Sequence, residues 1–482
     1  SKRLVLEQAL GSDLKRLAER LIEICARQRR YRDFSRYELT EALVRLCIAF
    51  PVYRTYLRPS DREPSPNDRA VVRRACELAS AQNPPLDPRV FEFLERLLLL
   101  EWRDPPELEF VMHWQQLTGP AMAKGLEDTA FYRHTRLVAL NEVGGDPGHF
   151  SETPAEFHAW VQAREARQPS PLNATSTHDT KRSEDVRARL LVLSELPDRW
   201  CAAVRRWRQR LASKRGSSAA AGAEQFPDPG FEHLLLQNLV GAWPIDSDRM
   251  RQYAEKAMRE AKRFSSWHQP NEAYEEAVFQ YLDLLYRDRE LVADIEGFVA
   301  SIRDAGYANA LSQVLLKALA PGVPDVYQGT ELWDFSLVDP DNRRAVDYAL
   351  RQRMLADLDR MTVSELWDNR ADGGIKMLVL RQALRLRAQR PDCFEAGAAY
   401  TPFQAFGPRA DRVVAFQRGS AVIGVVTRWF ARFGNDFGGT TLSLPPGLWR
   451  NVLAGGPPHS GEVSVSDLLG PVPVAALEKV QG

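Results

Sequence analysis

Five cysteines in 482 residues, Cys25, Cys47, Cys76, Cys201 and Cys393, are too few and too scattered for a disulfide framework: the count is odd and no C-x-x-C spacing occurs. A reducing cytoplasm is therefore the expected setting. Three of the five sit inside helical apolar patterns, where a free cysteine serves as a small core residue. No apolar run approaches the ~20 residues that a membrane helix needs, and no signal peptide is visible. Net charge is missing too, since Lys plus Arg and Asp plus Glu both total 64. No bulk field then favours nucleic acid or an acidic membrane as a partner. The eight histidines are dispersed, with no H-E-x-x-H and no paired His/Cys spacing, so neither a metal nor any other cofactor is expected. A nucleophilic serine would need a G-x-S-x-G elbow and a nucleotide site a G-x-x-x-x-G-K-[ST] loop; neither occurs.

What is present suits a soluble globular chain of about two to four domains: 44% apolar and 27% charged residues. Residues 1–113 carry apolar side chains at three- and four-residue intervals (Leu14, Leu17, Leu21, Ile22, Cys25), which predicts helices. Turn signals separate them at Pro59-Ser60-Asp61 and Pro84-Pro85-Leu86-Asp87-Pro88. From 114 to 200, short Gly-punctuated pieces alternate with helices and suggest α/β units. A helix is expected from about 184 to 212, followed by the low-complexity tract Gly216–Gly222, which reads as a mobile surface loop. Helix returns over 231–317, with Trp243, Trp267, Tyr274, Tyr281 and Tyr286 as core aromatics. Beyond about Arg390 the pattern turns to short strands such as Val413-Val414-Ala415-Phe416 and Val422-Ile423-Gly424-Val425-Val426, as in a small sandwich. The opening at Ser1 is already helical in character, as expected of a chain truncated at its amino terminus.

The chemistry concentrates in Asn173–Leu190. A β-prone lead-in runs into His178-Asp179, and a helix opens around Ser183-Glu184-Asp185 with acids favourably placed in its first turn. Such a strand-to-loop-to-helix junction is where an α/β barrel keeps its catalytic groups, although a solvated turn with a helix cap fits the same residues. Further acids, Glu127, Asp128 and Glu331, are expected at strand ends beside Lys, His, Tyr and Gln side chains. Glycosyl transfer needs carboxylates, because its transition state is positive and its leaving oxygen must be protonated.

His178-Asp179, with Gly322-Val323-Pro324-Asp325-Val326-Tyr327-Gln328-Gly329-Thr330-Glu331 downstream, resembles the last two signature regions of the α-amylase superfamily, glycoside hydrolase family 13. Three longer strings, Met122–Arg133, Ser176–Arg187 and Asp334–Arg344, are similar to the maltooligosyltrehalose synthases of that superfamily, and the likeness runs over nearly the whole chain. The resemblance implies an α/β fold with large helical insertions: the carboxyl-terminal part of a (β/α)8 barrel plus a C-terminal antiparallel β-sandwich. It divides the chain into a helical insertion subdomain (1–113), a barrel segment with the His-Asp strand end (114–215), a second helical subdomain returning to the barrel (216–317), the last barrel strand and helix (318–390) and the sandwich (391–482). It also implies the activity, intramolecular conversion of the reducing-end α-1,4 linkage of a maltooligosaccharide into an α,α-1,1 linkage. Asp179 matches the third, transition-state-steadying carboxylate and His178 the histidine that hydrogen-bonds the reacting sugar. Lys181 and Lys124 are expected to grip the terminal glucose. Glu127, Asp128, Tyr132, Arg133, Arg182, Tyr327, Gln328 and Glu331 are expected to complete the substrate site.

For several of these residues a plainer role is open. Asp179 could cap a helix, Glu331 could be part of a loop fixed by Tyr327 and Gln328, Glu127 and Asp128 could pair with Lys124 and Arg133, and Lys181 could be a solvated charge. The nucleophile and acid/base of the family fall upstream of Ser1, so the chain is expected to be inactive alone, with the missing catalytic half as a further partner. A hydrolase of the same superfamily and a non-catalytic glucan-binding subunit are the rival readings.

Overall fold

The computed structural model describes residues 1–214 and 227–480; the Gly216–Gly222 tract lies outside them. The chain forms two compact units, Ser1–Arg133 with Met258–Gln269, and His134–Ala257 with Pro270–Gly482. The protein is rich in helix and carries antiparallel sheets.

In the first unit, helices start where the sequence supplies caps. Ser35 opens Arg36–Ala49 through a reciprocal capping box with Glu38, and Ser65 and Asp87 cap Pro66–Ser80 and Pro88–Leu98. A proline at the first turn of the latter two loses no hydrogen bond, because that N–H has no helical partner anyway. Their apolar stripes converge on one core that includes Leu17, Leu21, Leu43, Phe93, Leu97, Phe110 and Trp114. Truncating a leucine in such a core costs about 2–5 kcal/mol. Cys25, Cys47 and Cys76 are buried there as free thiols.

The helix Pro105–Met122 runs through the point where α/β texture was expected, because Trp114, Leu117, Thr118 and Ala121 keep facing inward at helical spacing. It continues into a π-helical turn, Ala123–Glu127. Between 114 and 200 the one strand among the described residues is Leu172–Asn173.

The second unit is organised by the 31-residue helix Arg289–Leu319, which packs against Glu184–Glu195, Gly374–Gln389 and the strand Val422–Thr427. Its Gly306 permits the close crossing, since a Cβ there would stand 3.1 Å from the Cα of Arg189. The helix expected over 184–212 divides into Glu184–Glu195 and Pro197–Lys214. Pro197 supplies no N–H and pushes Leu196 out of helical geometry (φ −128°, ψ 48°). Tyr274 and Tyr281 are core residues as expected, but Trp267, in the first unit, is 49% exposed. It follows the end of a helix, where its ring lies under the Arg259 guanidinium and its indole N–H donates to Glu260.

Toward the carboxyl end, five antiparallel strands order as Tyr400–Phe403, Val413–Arg418, Val422–Thr427, Val474–Val480 and Leu448–Asn451. A three-stranded sheet joins Ala405–Phe406, Thr441–Ser443 and Glu462–Ser464. One buried cluster draws Ala415, Ile423, Val425 and Leu477 from the larger sheet and Ala405 and Leu442 from the smaller. No helix of the described residues is long and apolar enough to cross a membrane.

Candidate functional site

Leu172–Asn173 and Val323–Pro324 pair in parallel, so the two loops that follow them emerge side by side. The pairing needs Gly322, at φ +119°, because a Cβ there would meet the carbonyl oxygen of Pro171 at 2.5 Å. The first loop carries His178 and Asp179, both exposed. Its backbone is tied down at nearly every step. Asn342 donates to the Thr177 carbonyl at 3.2 Å, Arg343 to the His178 carbonyl at 3.2 Å, and the Asp179 N–H to the Thr177 hydroxyl at 3.2 Å.

Beyond the tip, the Glu142 carboxylate accepts the N–H groups of Lys181 (2.7 Å) and Arg182 (3.1 Å) and pairs with Arg187 at 3.1 Å. Ser183 caps the following helix, and its N–H reaches the Ser336 carbonyl at 3.0 Å. The Tyr327 hydroxyl in turn donates to the Asn342 carbonyl at 3.1 Å. The three strings 176–187, 322–331 and 334–344 thus form one hydrogen-bonded assembly within the second unit.

Two other expected site residues of this unit are inside it. Arg182 is 1% exposed, its guanidinium bound by Asn238 (2.6 Å), the Asn141 carbonyl (3.3 Å) and Tyr253 (3.4 Å). Lys181 is 3% exposed, which excludes the solvated helix-start charge considered for it. Glu331 pairs with Arg351 at 3.1 Å, and Arg351 also donates to the Gly329 carbonyl at 2.6 Å, so this acid helps fix the Tyr327-Gln328-Gly329 turn. Gln328 is exposed on that turn.

Beneath the loop lies a sealed ion network that sequence reasoning missed. Glu184 meets Lys317 at 3.0 Å and Lys376 at 2.8 Å, while Asp185 meets Lys376 at 2.7 Å and accepts the Asp334 N–H at 2.7 Å. Burial pushes the Glu184 carboxyl up, but the ammonium groups of Lys376 and Lys317 outweigh it and hold it below the usual range. Burial also raises Asp185, and one lysine shared with Glu184 does not bring it back. In the sequence these acids read only as favourable first-turn charges, and their lysines lie more than a hundred positions away. Glu142 was not among the expected site residues, and Asn342 and Arg343 were visible only as members of the Asp334–Arg344 string.

Lys124, Glu127, Asp128, Tyr132 and Arg133 belong to the first unit. Lys124 pairs with Asp128 at 2.6 Å. The Tyr53 hydroxyl donates to the buried Glu127 carboxylate. Arg133 binds the carbonyls of Ala261 (2.6 Å) and Lys262 (3.0 Å) rather than an acid. Tyr132 is 4% exposed. No group of three or more His, Cys, Asp or Glu among the described residues could hold a metal ion.

No family model matches the chain. A Mycobacterium tuberculosis protein provisionally named maltooligosyl trehalose synthase is 43% identical over 371 residues, covering 75% of this chain and 45% of the relative. The maltooligosyltrehalose synthase of Arthrobacter ramosus superposes with a TM-score of 0.82 at 36% identity, over 99% of this chain and 57% of that one. A Sulfolobus tokodaii structure titled as a hypothetical maltooligosyl trehalose synthase gives 0.75 at 27%, over 99% and 57%. The chain therefore spans about half the length of the relatives it matches.

Proposed function

We infer, from the kinship of this chain with the maltooligosyltrehalose synthases, that it carries one part of an enzyme that isomerises the reducing end of α-1,4-glucans. The reading takes Ser1–Gly482 as the carboxyl-terminal portion, with the parallel strands Leu172–Asn173 and Val323–Pro324 as neighbours in a (β/α)8 barrel and the two antiparallel sheets as a sandwich. The five free cysteines suit a reducing cytoplasm.

Asp179 is assigned as the carboxylate that stabilises the transition state, and His178 as a hydrogen-bond donor to the reacting sugar. The observation that carries this is their exposure at the tip of a loop whose flanking backbone is held by Glu142, Asn342 and Arg343. A site that must aim charge at a developing oxocarbenium ion needs such prior fixation. Tyr327 and Gln328 are assigned to the substrate rim. Arg182 and Glu331 are assigned to positioning the two loops.

In the complete reaction an upstream carboxylate attacks the anomeric carbon of the penultimate sugar, breaking the α-1,4 bond, while an upstream acid protonates the leaving glucose oxygen. The freed glucose turns over, and its anomeric hydroxyl attacks the glycosyl-enzyme. Its proton passes to the acid/base, and the nucleophile leaves. Two inversions preserve the α configuration.

The 482-residue chain alone is expected to convert no maltopentaose. In the full reading frame the product should be a non-reducing maltooligosyltrehalose, and Asp179→Asn should lower kcat by three or more orders of magnitude with less than tenfold change in KM. Near-normal turnover of that variant removes Asp179 from the reaction. Release of glucose or free trehalose instead marks a hydrolase, and glucan affinity without turnover in the full frame marks a binding subunit.

A further inference from the structure

The helix Glu184–Glu195 begins at the His178-Asp179 loop. Its twelve residues carry its other end about 18 Å away, where it borders a cavity of about 510 Å³. The cavity lies wholly within the second unit, walled by this helix, by Asn309, Gln313 and Leu316 of the long central helix, by the end of the strand Val422–Thr427 and by residues 150–153 with the first turn of the helix Pro154–Arg167. None of the residues assigned to the proposed reaction lines it.

Its lining combines aromatic surface with planar polar groups. Phe150, 52% exposed, Phe157 and Trp429 contribute the rings. Trp429 is held at φ +62°, a left-handed conformation that a bulky residue rarely adopts and that persists only where its surroundings impose it. Arg428 lies over that ring, 4.1 Å from its centroid. Gln313 makes no side-chain hydrogen bond among the described residues, and Asn309 uses its amide N–H on the Ala188 carbonyl at 3.2 Å, leaving the amide oxygen open. Glu195 accepts the Arg432 N–H at 3.3 Å through one carboxyl oxygen. Burial raises this acid to about 7, so near neutrality it can both donate and accept.

The Gln313 amide, the open Asn309 amide oxygen, a carboxyl able to act both ways, and aromatic faces suit a ring with hydroxyls around its rim and C–H groups on its faces. An anion is less well served. Arg428 donates to the Glu152 carbonyl at 3.1 Å, and Glu195 becomes a repelling charge as it ionises. The volume lies toward the lower end of the ~300–1,000 Å³ range of small-molecule sites, which suits one or two sugar rings rather than a long glucan.

We propose that this cavity is a second sugar site, taking a neutral mono- or disaccharide at the end of the Glu184–Glu195 helix remote from Asp179. It is independent of the proposed reaction, and the test separates the two. Maltose is titrated into the 482-residue chain by calorimetry, with inorganic phosphate as the competing probe and hydrogen exchange to map protection. Maltose should slow exchange in 309–316 and 426–432. Its affinity should stay within twofold in the His178→Ala/Asp179→Asn double variant and fall at least tenfold in Gln313→Leu and in Trp429→Ala. The exchange map on the unaltered chain decides the matter should either variant fold poorly. No maltose binding at 20 mM, protection confined to the 174–183 loop, or protection of the cavity by phosphate and not by maltose would each overturn the proposal.

Discussion

Asp179 and Asp185 stand six positions apart in one strand-to-helix junction, and the protein uses them in opposite ways. Asp179 is exposed, and the structure spends its surrounding hydrogen bonds on the backbone that carries it. Asp185 is 2% exposed and bound on its own side chain by Lys376 and the Asp334 N–H. One acid is held out and the other is sealed in. An acid's type and local spacing do not distinguish these roles; the presence of a buried cation from a distant helix does.

Exchanging the two acids one at a time tests that contrast most strongly. In the full reading frame, Asp179→Asn should leave the melting temperature unchanged while turnover falls by three or more orders of magnitude, about 4 kcal/mol of transition-state stabilisation. Asp185→Asn should do the reverse, lowering stability first. If Asp185→Asn removed turnover at an unchanged melting temperature and Asp179→Asn did not, the roles would have to be interchanged.

Next in size is Lys376→Met. It leaves Glu184 with Lys317 alone and Asp185 with no ammonium partner. Removing one member of a buried ionic cluster costs about 3–5 kcal/mol, which urea unfolding followed by circular dichroism would report. A loss below about 1 kcal/mol would mean that water reaches the network and that Asp185 is not sealed.

How far the sequence could go is visible in the same junction. The helix start at Ser183-Glu184 was legible, because a cap and first-turn acids are local signals. So were the helices on either side of Pro59-Ser60-Asp61 and the strands beyond residue 400. The resemblance singled out 176–187, 322–331 and 334–344, and the structure brings those strings together. The buried pairing of Glu184 and Asp185 with Lys317 and Lys376 was not legible, since nothing in a helical or alternating pattern says which distant lysine will face a given acid. For the same reason Arg182 read as a rim cation and is instead a fully buried brace. Trp267 read as core because aromaticity was weighed without its place after a helix end.

A smaller effect should follow from Glu142, which touches the loop through the Lys181 and Arg182 N–H groups and the Arg187 side chain. Glu142→Ala orphans two backbone donors, a loss of about 1–3 kcal/mol. Hydrogen exchange at Lys181 and Arg182 should speed up on the order of tenfold through local opening, while amides in the Arg36–Ala49 helix stay unchanged. Equal acceleration in both places would show that Glu142 supports the whole molecule rather than the tip.

The smallest expected effect concerns Glu195, a half-buried acid without an ammonium partner that is raised to about 7 chiefly by desolvation, with backbone N–H groups and the charges of Arg412 and Arg432 only partly compensating. Its ordinary carboxyl value is 4.5, so in the unfolded chain it ionises first. Between those two values the folded protein holds the proton that the unfolded chain has released, and this acid's contribution to stability falls as pH rises, levelling off above about 7. Replacement by glutamine keeps a neutral acceptor for the Arg432 N–H and removes the titration. The melting temperature of Glu195→Gln should match the parent at pH 4.5 and exceed it by about 2 °C at pH 8. Asp185 and Asp334, also raised by burial, keep their own pH dependence in that variant, so a residual decline in stability should remain. A parent and variant that melt in parallel from pH 4.5 to 8 would mean that Glu195 is already ionised in the folded state, and that burial alone does not separate it from an exposed acid such as Asp179.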